Sequence, residues 1–218
     1  MSFELFDPTE AVRITAGNLP HWYQPRVTYF ITFRTEDSFP VLVADQWFQR
    51  RAEWLQRRGI SARQVDWKVR LRKLPLIEQR EFHETFSREL MEHLDKGHGA
   101  CVLRDPELSQ IVADSLHHFE GVRYFLGDFV VVPNHVHLLV CMIGTTEVES
   151  QCYSWKKFTA TKINKVLGQK DRFWQEESFD HLVRSPGQFD RLRDYIAENP
   201  KKAGLRSGEY LYWKRDEV

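Results

Sequence analysis

The chain has 218 residues, enough for one domain with a sizeable core, and its 31 basic and 31 acidic residues give a formal net charge of zero. That balance excludes a protein that is basic throughout, but a basic patch offset elsewhere is still compatible with a nucleic-acid partner. The cysteines, Cys101, Cys141 and Cys152, form no C-x-x-C pair, which argues against a disulfide framework or a zinc ribbon and favours a reducing compartment.

The sequence shows no targeting or membrane-spanning segment. Residues 1–10 are acidic and lack the apolar core of a signal peptide. No apolar run approaches the roughly 20 residues that are needed to span a bilayer. We therefore expect a cytoplasmic protein without a membrane partner.

The first half of the chain predicts an arm, a strand and two helices. Residues 1–25 contain several prolines and little periodicity, which is typical of an N-terminal arm. Residues 27–35 are rich in β-branched and aromatic side chains and predict a strand. Apolar residues at helical spacing predict helices over 45–58 and 75–96, and a short strand is predicted over 99–105.

The second half predicts alternating helices and strands. Asp105 as the N-cap and Pro106 at the first position begin a helix that extends to residue 119. The remaining predicted elements are strands over 122–132, 135–142 and 179–184 and helices over 147–167 and 185–199. Pro200 is expected to end the last helix. Because these elements alternate without glycine-rich dinucleotide turns, we expect an α+β fold with an antiparallel sheet.

Two histidines stand in the middle of an apolar stretch, FVVVPNHVHLLV, at residues 129–140. Residues two apart in a strand point to the same face, so His135 and His137 project side by side, about 7 Å apart along the backbone. Two neutral imidazoles on one face can bind a divalent metal. The alternative is a pair of histidines on a solvated or hydrogen-bonded face, and the spacing alone does not exclude it.

A second candidate pair lies in FDRLRDYIAENPKKAGL, at residues 189–205. Tyr195 and Asn199 are four residues apart in a predicted helix and therefore share a face. A phenolic hydroxyl can act as a nucleophile towards phosphorus, and an amide oxygen is a hard metal ligand. The alternative is a core tyrosine followed by an asparagine that caps the helix.

Together, VVVPNHVHLLV and DYIAENPKKAGL resemble the REP-associated tyrosine transposases, a group of single-tyrosine HUH transposases. The segments SWKKFTATKIN, FWQEESFDHLVRS and YFITFRT also fit that family's pattern. The resemblance covers roughly residues 122–205 and the strand at 29–35. His-hydrophobe-His after Pro-Asn is fairly specific, and Tyr-Ile-x-x-Asn-Pro downstream makes the combined pattern strong.

The resemblance implies a function for each candidate. His135 and His137 would hold a divalent metal, Mg²⁺ or Mn²⁺, with Asn199 as the third ligand and Tyr195 as the nucleophile. The implied activity is a metal-dependent single-stranded DNA endonuclease and strand transferase, acting at or near hairpins through a 5′-phosphotyrosine intermediate. The implied partner is single-stranded DNA with a hairpin formed by REP-like repeats, in the bacterial cytoplasm and on the nucleoid when DNA is bound. The resemblance leaves a monomer and a homodimer both open.

The resemblance also implies a fold. We expect a ferredoxin-like, RNA-recognition-like antiparallel sheet with helices on one side and the histidine strand in the centre. A single domain would span residues 1–218, with the arm at 1–25. A helical insertion at about 45–96 is not explained by the family's motifs.

The segment 155–172 is basic, with six lysines and arginines against one acidic residue. Phosphate contacts are the functional interpretation of this charge, and a solvated helix face is the alternative. Lys201 and Lys202 follow the tyrosine and would extend the basic surface. The predicted DNA-binding residues are therefore Lys156, Lys157, Lys162, Lys165, Lys201 and Lys202.

Two other functions stay open at this point. One is a catalytically retired protein that binds nucleic-acid hairpins without cutting them. The other is a metal-dependent hydrolase with no covalent step. A denaturing gel separates the three hypotheses, because only the transposase-like enzyme gives a covalent DNA–protein adduct.

Overall fold

The structure, a computed structural model, describes residues 3–15, 21–64, 66–176 and 178–216. The strands in this part are β1 (Arg13–Thr15), β2 (His21–Tyr23), β3 (Thr28–Arg34), β4 (Tyr124–Val132), β5 (His135–Met142), β6 (Phe179–Leu182) and β7 (Leu211–Trp213). The helices are α1 (Val41–Gln56), α2 (Trp67–Arg72), α3 (Leu76–Phe82), α4 (Arg88–Asp95), α5 (Pro106–His117), α6 (Val148–Leu167) and α7 (Pro186–Lys202).

The centre of the fold is a five-stranded antiparallel sheet in the order β6-β3-β5-β4-β7. Strands and helices run β3-α5-β4-β5-α6-β6 along the chain, which is the βαββαβ arrangement of ferredoxin-like folds. The histidine strand β5 occupies the middle of the sheet. The predicted α+β class, the antiparallel sheet and the central position of the histidine strand are confirmed.

The two faces of the sheet have different partners. Val136 and Leu138 of β5 pack into the main hydrophobic core together with residues of α5 and α6. Since successive side chains in a strand alternate, His135 and His137 project from the opposite face. The same face carries Leu139, which belongs to a second, smaller apolar cluster.

Helix α7 covers the histidine face. Its Phe189 and Ile196 pack against Phe30, Val130 and Leu139 of the sheet. The expectation of helices on one side therefore holds for α5 and α6 but not for α7. The physical reason is that this sheet carries apolar residues on both faces, and each face needs a layer to exclude water.

The region expected to be a helical insertion contains α1 to α4 and lies between β3 and α5. It has its own hydrophobic cluster, in which Trp47 and Trp54 of α1 belong with Phe82 and Phe86. The predicted helix over 75–96 is interrupted, because a π-helical turn at His83–Ser87 separates α3 from α4. Four short or medium helices thus enclose an aromatic core outside the main sheet.

The structure differs from the predicted strand at 99–105, adds a strand pair to the predicted arm and agrees with the predicted cap at Asp105. The predicted strand over 99–105 is wrong: Cys101 has a φ of 53°, which ends any extended run, and a 3-10 turn follows at Val102–Arg104. Within the predicted N-terminal arm, β1 and β2 pair with each other, while residues 1–2 and 16–20 of that arm lie outside the described part. The predicted cap is confirmed, since the Asp105 side chain accepts a hydrogen bond from the Glu107 N–H.

Pro200 does not end α7, which extends to Lys202. A proline removes one backbone N–H and crowds the carbonyl four residues earlier. That carbonyl belongs to Ile196, and a later bond of the ladder, from the Ala203 N–H to the Asn199 carbonyl, is intact at 2.9 Å. A proline in the last turn therefore costs one bond while the helix continues.

Within the described residues, none of the helices combines the length and the apolarity that a bilayer crossing requires.

Candidate active site

The two histidines of β5 meet at one point beneath α7. Their Nε2 atoms are 3.0 Å apart, and both side chains are almost fully buried, with 1% and 0% of their surface exposed. Strand β5 is flanked on both sides by other strands, which fixes its backbone. The pair is therefore held in a defined geometry rather than displayed on a solvated face.

The opposite nitrogen of each ring is also engaged. His135 Nδ1 lies 2.8 Å from Asn134 Oδ1, and His137 Nδ1 lies 2.7 Å from Thr32 Oγ1. An amide oxygen only accepts, so His135 carries its proton on Nδ1 and keeps a lone pair on Nε2. Hydrogen bonds of this kind orient metal-binding imidazoles.

Burial keeps both rings neutral. It lowers the pKa of His135 to about 3, with a smaller contribution from the positive charge of Arg34. It also lowers the pKa of His137 well below its ordinary value, and the neighbouring His135 adds to this effect. Neutral imidazoles are the form that binds metal ions.

Tyr195 reaches the histidine pair from α7. Its Oη lies 3.4 Å from His137 Nε2, and the two ring centroids are 5.2 Å apart. Phe30 of β3 stacks on His137 and meets the edge of Tyr195. Strand β5 and helix α7 thus bring the phenol oxygen close to the histidine pair, although Tyr195 and His137 are 58 residues apart in the sequence.

A partly buried ion pair anchors α7 two residues before the tyrosine. Arg193 donates from Nε and Nη2 to the two carboxylate oxygens of Asp128, at 2.9 and 3.0 Å. The same carboxylate accepts from the Arg215 N–H, and Arg193 also donates to the Arg215 carbonyl. A bidentate arginine–carboxylate contact fixes orientation as well as distance. It lies two residues before Tyr195 and therefore limits rotation of the helix there.

Asn199 is fully buried in α7, one helical turn after Tyr195. The alternative in which it caps the helix does not hold, because α7 continues to Lys202 and Ala203 occupies the cap position. A buried amide needs polar partners, and Asn199 does not occupy the cap position of α7. Its assignment as the third metal ligand stays a prediction.

The two Nε2 atoms are close enough together for one divalent ion to contact both. Two nitrogens at right angles around an ion about 2.1 Å away would be about 3.0 Å apart, which matches the Nε2–Nε2 separation of 3.0 Å. Residues 3–15, 21–64, 66–176 and 178–216 contain no group of three or more histidine, cysteine, aspartate or glutamate side chains that could hold a metal. The predicted third ligand, the Asn199 amide, is of a residue type outside this set.

The predicted DNA-binding lysines fall into two separate groups. Lys201 and Lys202 lie in the last turn of α7, and the Lys202 ammonium is 5.6 Å from the centroid of the Tyr195 ring. The other four lie on α6, which covers the opposite face of the sheet. Of these, Lys156 donates to the backbone carbonyls of residues 175 and 176 and therefore has a structural contact.

Sequence reasoning missed the residues that orient the site. Asn134 was considered only as part of the Pro-Asn break, although its position directly before His135 was a usable signal. Thr32 and Arg34 pair with His137 and His135 across β3 and β5, and such a register cannot be read from a single sequence. Asp128 likewise gave no signal, because its partner Arg193 lies 65 residues away.

Comparison with known proteins gives one similar fold. No family model matches this chain, and no curated protein matches it. The chain is similar to a solved structure of a REP-associated tyrosine transposase bound to a REP hairpin, with a TM-score of 0.46 and 15% sequence identity. The match covers 85% of this chain and 73% of that chain.

Proposed function

We propose that this protein is a divalent-metal-dependent enzyme that cuts and rejoins single-stranded DNA at hairpins through a covalent link to Tyr195. The observation that carries the proposal is the position of the Tyr195 Oη, 3.4 Å from His137 Nε2 and beside an Nε2–Nε2 pair of ligand geometry. A nucleophile next to two neutral imidazoles is the arrangement that metal-assisted phosphoryl transfer needs.

Phosphodiesters resist attack because their oxygens are negatively charged, and a phenol with a pKa of about 10 is a weak nucleophile at neutral pH. A bound Mg²⁺ or Mn²⁺ would polarise the scissile phosphate and offset the charge on its oxygens. His135 and His137 would present their Nε2 lone pairs to that ion. The fixed orientation of α7 would hold the phenol in line with phosphorus.

The covalent step exchanges one phosphate ester for another. The Tyr195 Oη bonds to phosphorus, its proton leaves to solvent, and the bond to the 3′-oxygen breaks. That oxygen takes up a proton and becomes a free 3′-OH, while the 5′-phosphate stays on the tyrosine. Because the ester bond energy is kept, a 3′-OH of another strand can reverse the step without ATP.

Arg34 supports an anionic substrate at this place. It lies opposite His135 in the β3–β5 pairing, and its Nη1 is buried without a hydrogen-bond partner. Burial lowers the pKa of its guanidinium. Within the described part of the chain it forms no salt bridge, so a phosphate oxygen is a suitable partner.

The test of the proposed function is an adduct assay. The protein is incubated with labelled DNA hairpins that carry unpaired flanks, with Mn²⁺ or Mg²⁺, and the products are separated on a denaturing protein gel. We expect a labelled band that migrates with the protein. Hairpin binding without any cleavage would favour a retired binding protein, and cleavage without a labelled protein band would favour a hydrolase.

Asn199→Ala is expected to weaken Mn²⁺ affinity roughly tenfold or more, as removal of a metal-site group does. Asn199→Asp keeps a ligand oxygen in place and is expected to retain the affinity. Mn²⁺ binding is followed by titration calorimetry or electron paramagnetic resonance, and thermal unfolding is recorded in parallel because the side chain is buried. Equal Mn²⁺ affinity in wild type and Asn199→Ala, with both proteins folded, would remove Asn199 from the ligand set.

The two groups of lysines are expected to contact different parts of the DNA. Since α6 faces away from Tyr195, Lys162→Ser with Lys165→Ser should make the log–log salt dependence of hairpin-stem binding shallower by roughly 1.8. Lys201→Ser with Lys202→Ser should instead make the log–log salt dependence of binding to an unpaired strand shallower by roughly 1.4. An unchanged salt dependence for the α6 pair on both substrates would leave that helix as a solvated face.

A further inference from the structure

A large cavity lies between the inserted helices and the histidine face of the sheet. Its volume is about 830 Å³, within the range of roughly 300–1,000 Å³ that is typical of ligand sites. Residues of α1 to α4 form one wall, and residues of β3, β6 and α7 form the other. Tyr195 and Arg34 both belong to the lining, so the cavity is continuous with the candidate active site.

Aromatic rings and arginines dominate the lining. Among the described residues that form it are five arginines and a single carboxylate, that of Asp180. The rings include Phe48, which keeps 41% of its surface exposed, and Trp22, over which the Arg72 guanidinium lies at 3.8 Å. Aromatic faces stack on bases, and guanidinium groups pair with phosphates.

Three of the five arginines in this lining have no carboxylate partner among the described residues. Within the described residues, Arg34, Arg72 and Arg184 form no salt bridge with a carboxylate. The pKa of Arg72 falls to about 10, through loss of hydration and the nearby charge of Arg184. Like charges brought together without a counter-ion are unfavourable, and an anionic ligand relieves that repulsion.

We propose that this cavity binds the unpaired nucleotides that adjoin the scissile phosphate, with bases against its aromatic rings and phosphates on Arg72 and Arg184. The inference rests on the proposed function, and it assigns the inserted helices to substrate recognition. An uncharged apolar ligand would leave the arginines without partners. The cavity is too small for a duplex, so the occupant is a single strand.

The experiment measures DNA binding in EDTA, so that no cleavage occurs. The probes are a fluorescein-labelled DNA hairpin with an unpaired arm of randomised sequence and the same hairpin with a blunt end. Arg72→Ser with Arg184→Ser is expected to weaken binding of the armed hairpin roughly 25-fold at 0.1 M salt and to make its salt dependence shallower by about 1.4. Binding of the blunt hairpin should change less than twofold.

Phe48→Ala provides a second, uncharged variant. Loss of one base–ring stack is expected to weaken binding of the armed hairpin by about 5- to 150-fold. The matched control is Arg57→Ser with Arg63→Ser, which makes the same charge change at exposed positions of the insertion outside the cavity. All of these substitutions are at exposed side chains, so thermal unfolding should stay close to that of wild type.

The outcomes separate this inference from the proposed function. Selective loss of armed-hairpin binding in both cavity variants supports the inference, even if wild type forms no adduct with any DNA. Equal losses for armed and blunt hairpins, or no loss in either variant, overturn the inference. If wild type nevertheless forms the adduct, the proposed function stands without it.

Discussion

Tyr195→Phe is expected to abolish the covalent DNA–protein adduct, by a factor of roughly a thousand or more, while DNA binding changes only a few-fold. The substitution removes one oxygen and keeps the ring that meets Phe30 and His137. The contact between the phenol oxygen and His137 Nε2 is long, at 3.4 Å. Its loss should therefore cost less than about 1 kcal/mol of folding stability.

The matched control is Tyr153→Phe. Tyr153 is largely exposed on α6, on the other side of the sheet from the histidines. This variant should form the adduct at the wild-type rate. Persistence of the adduct in Tyr195→Phe would show that another residue is the nucleophile, and mapping of the labelled peptide would identify it.

His135→Ala and His137→Ala are each expected to eliminate Mn²⁺-dependent cleavage, again by roughly a thousandfold or more, since a bound ion contributes several kcal/mol to phosphoryl transfer. The structure buries both rings, so each substitution should also cost about 2–4 kcal/mol of stability. Mn²⁺ binding must therefore be measured below the melting temperature of each variant.

Phe30→Ala separates loss of a ligand from loss of packing. Phe30 is a buried ring of similar shape that stacks on His137, but it has no nitrogen to offer a metal. The Phe30→Ala variant should have a melting temperature lowered at least as much as that of either histidine variant, but it should still bind Mn²⁺. If both histidine variants bind Mn²⁺ as wild type does, the ligand assignment is wrong and the pair has a purely structural role.

The local parts of the fold could be predicted because short-range physics determines them. Side-chain alternation placed His135 and His137 on one face of a strand, and the Asp105-Pro106 signal placed the start of α5. The spacing of Tyr195 and Asn199 placed both on one helix. In each case the relevant contacts lie within a few residues of one another along the chain.

What the sequence did not reveal depends on distant partners. The side of the sheet on which α7 packs follows from apolar residues of β3, β4 and β5 together, and no single segment contains that information. The arginine-lined cavity is built from residues between positions 22 and 195. Two local expectations differ for local reasons: Cys101 has a positive φ, and a proline in the last turn removes only one backbone bond.

The ion pair between Asp128 and Arg193 bears on whether one polypeptide of the proposed enzyme contains a complete active site. It ties the tyrosine helix, two residues before Tyr195, to the strand next to the histidine strand of the same chain. The nucleophile and the histidines of the proposed enzyme would then come from the same polypeptide, and each polypeptide would form one covalent link to DNA. We therefore expect that a variant without Tyr195, mixed with a variant without His135 and His137, does not regain activity. Cutting and joining would be successive reactions at the same active site.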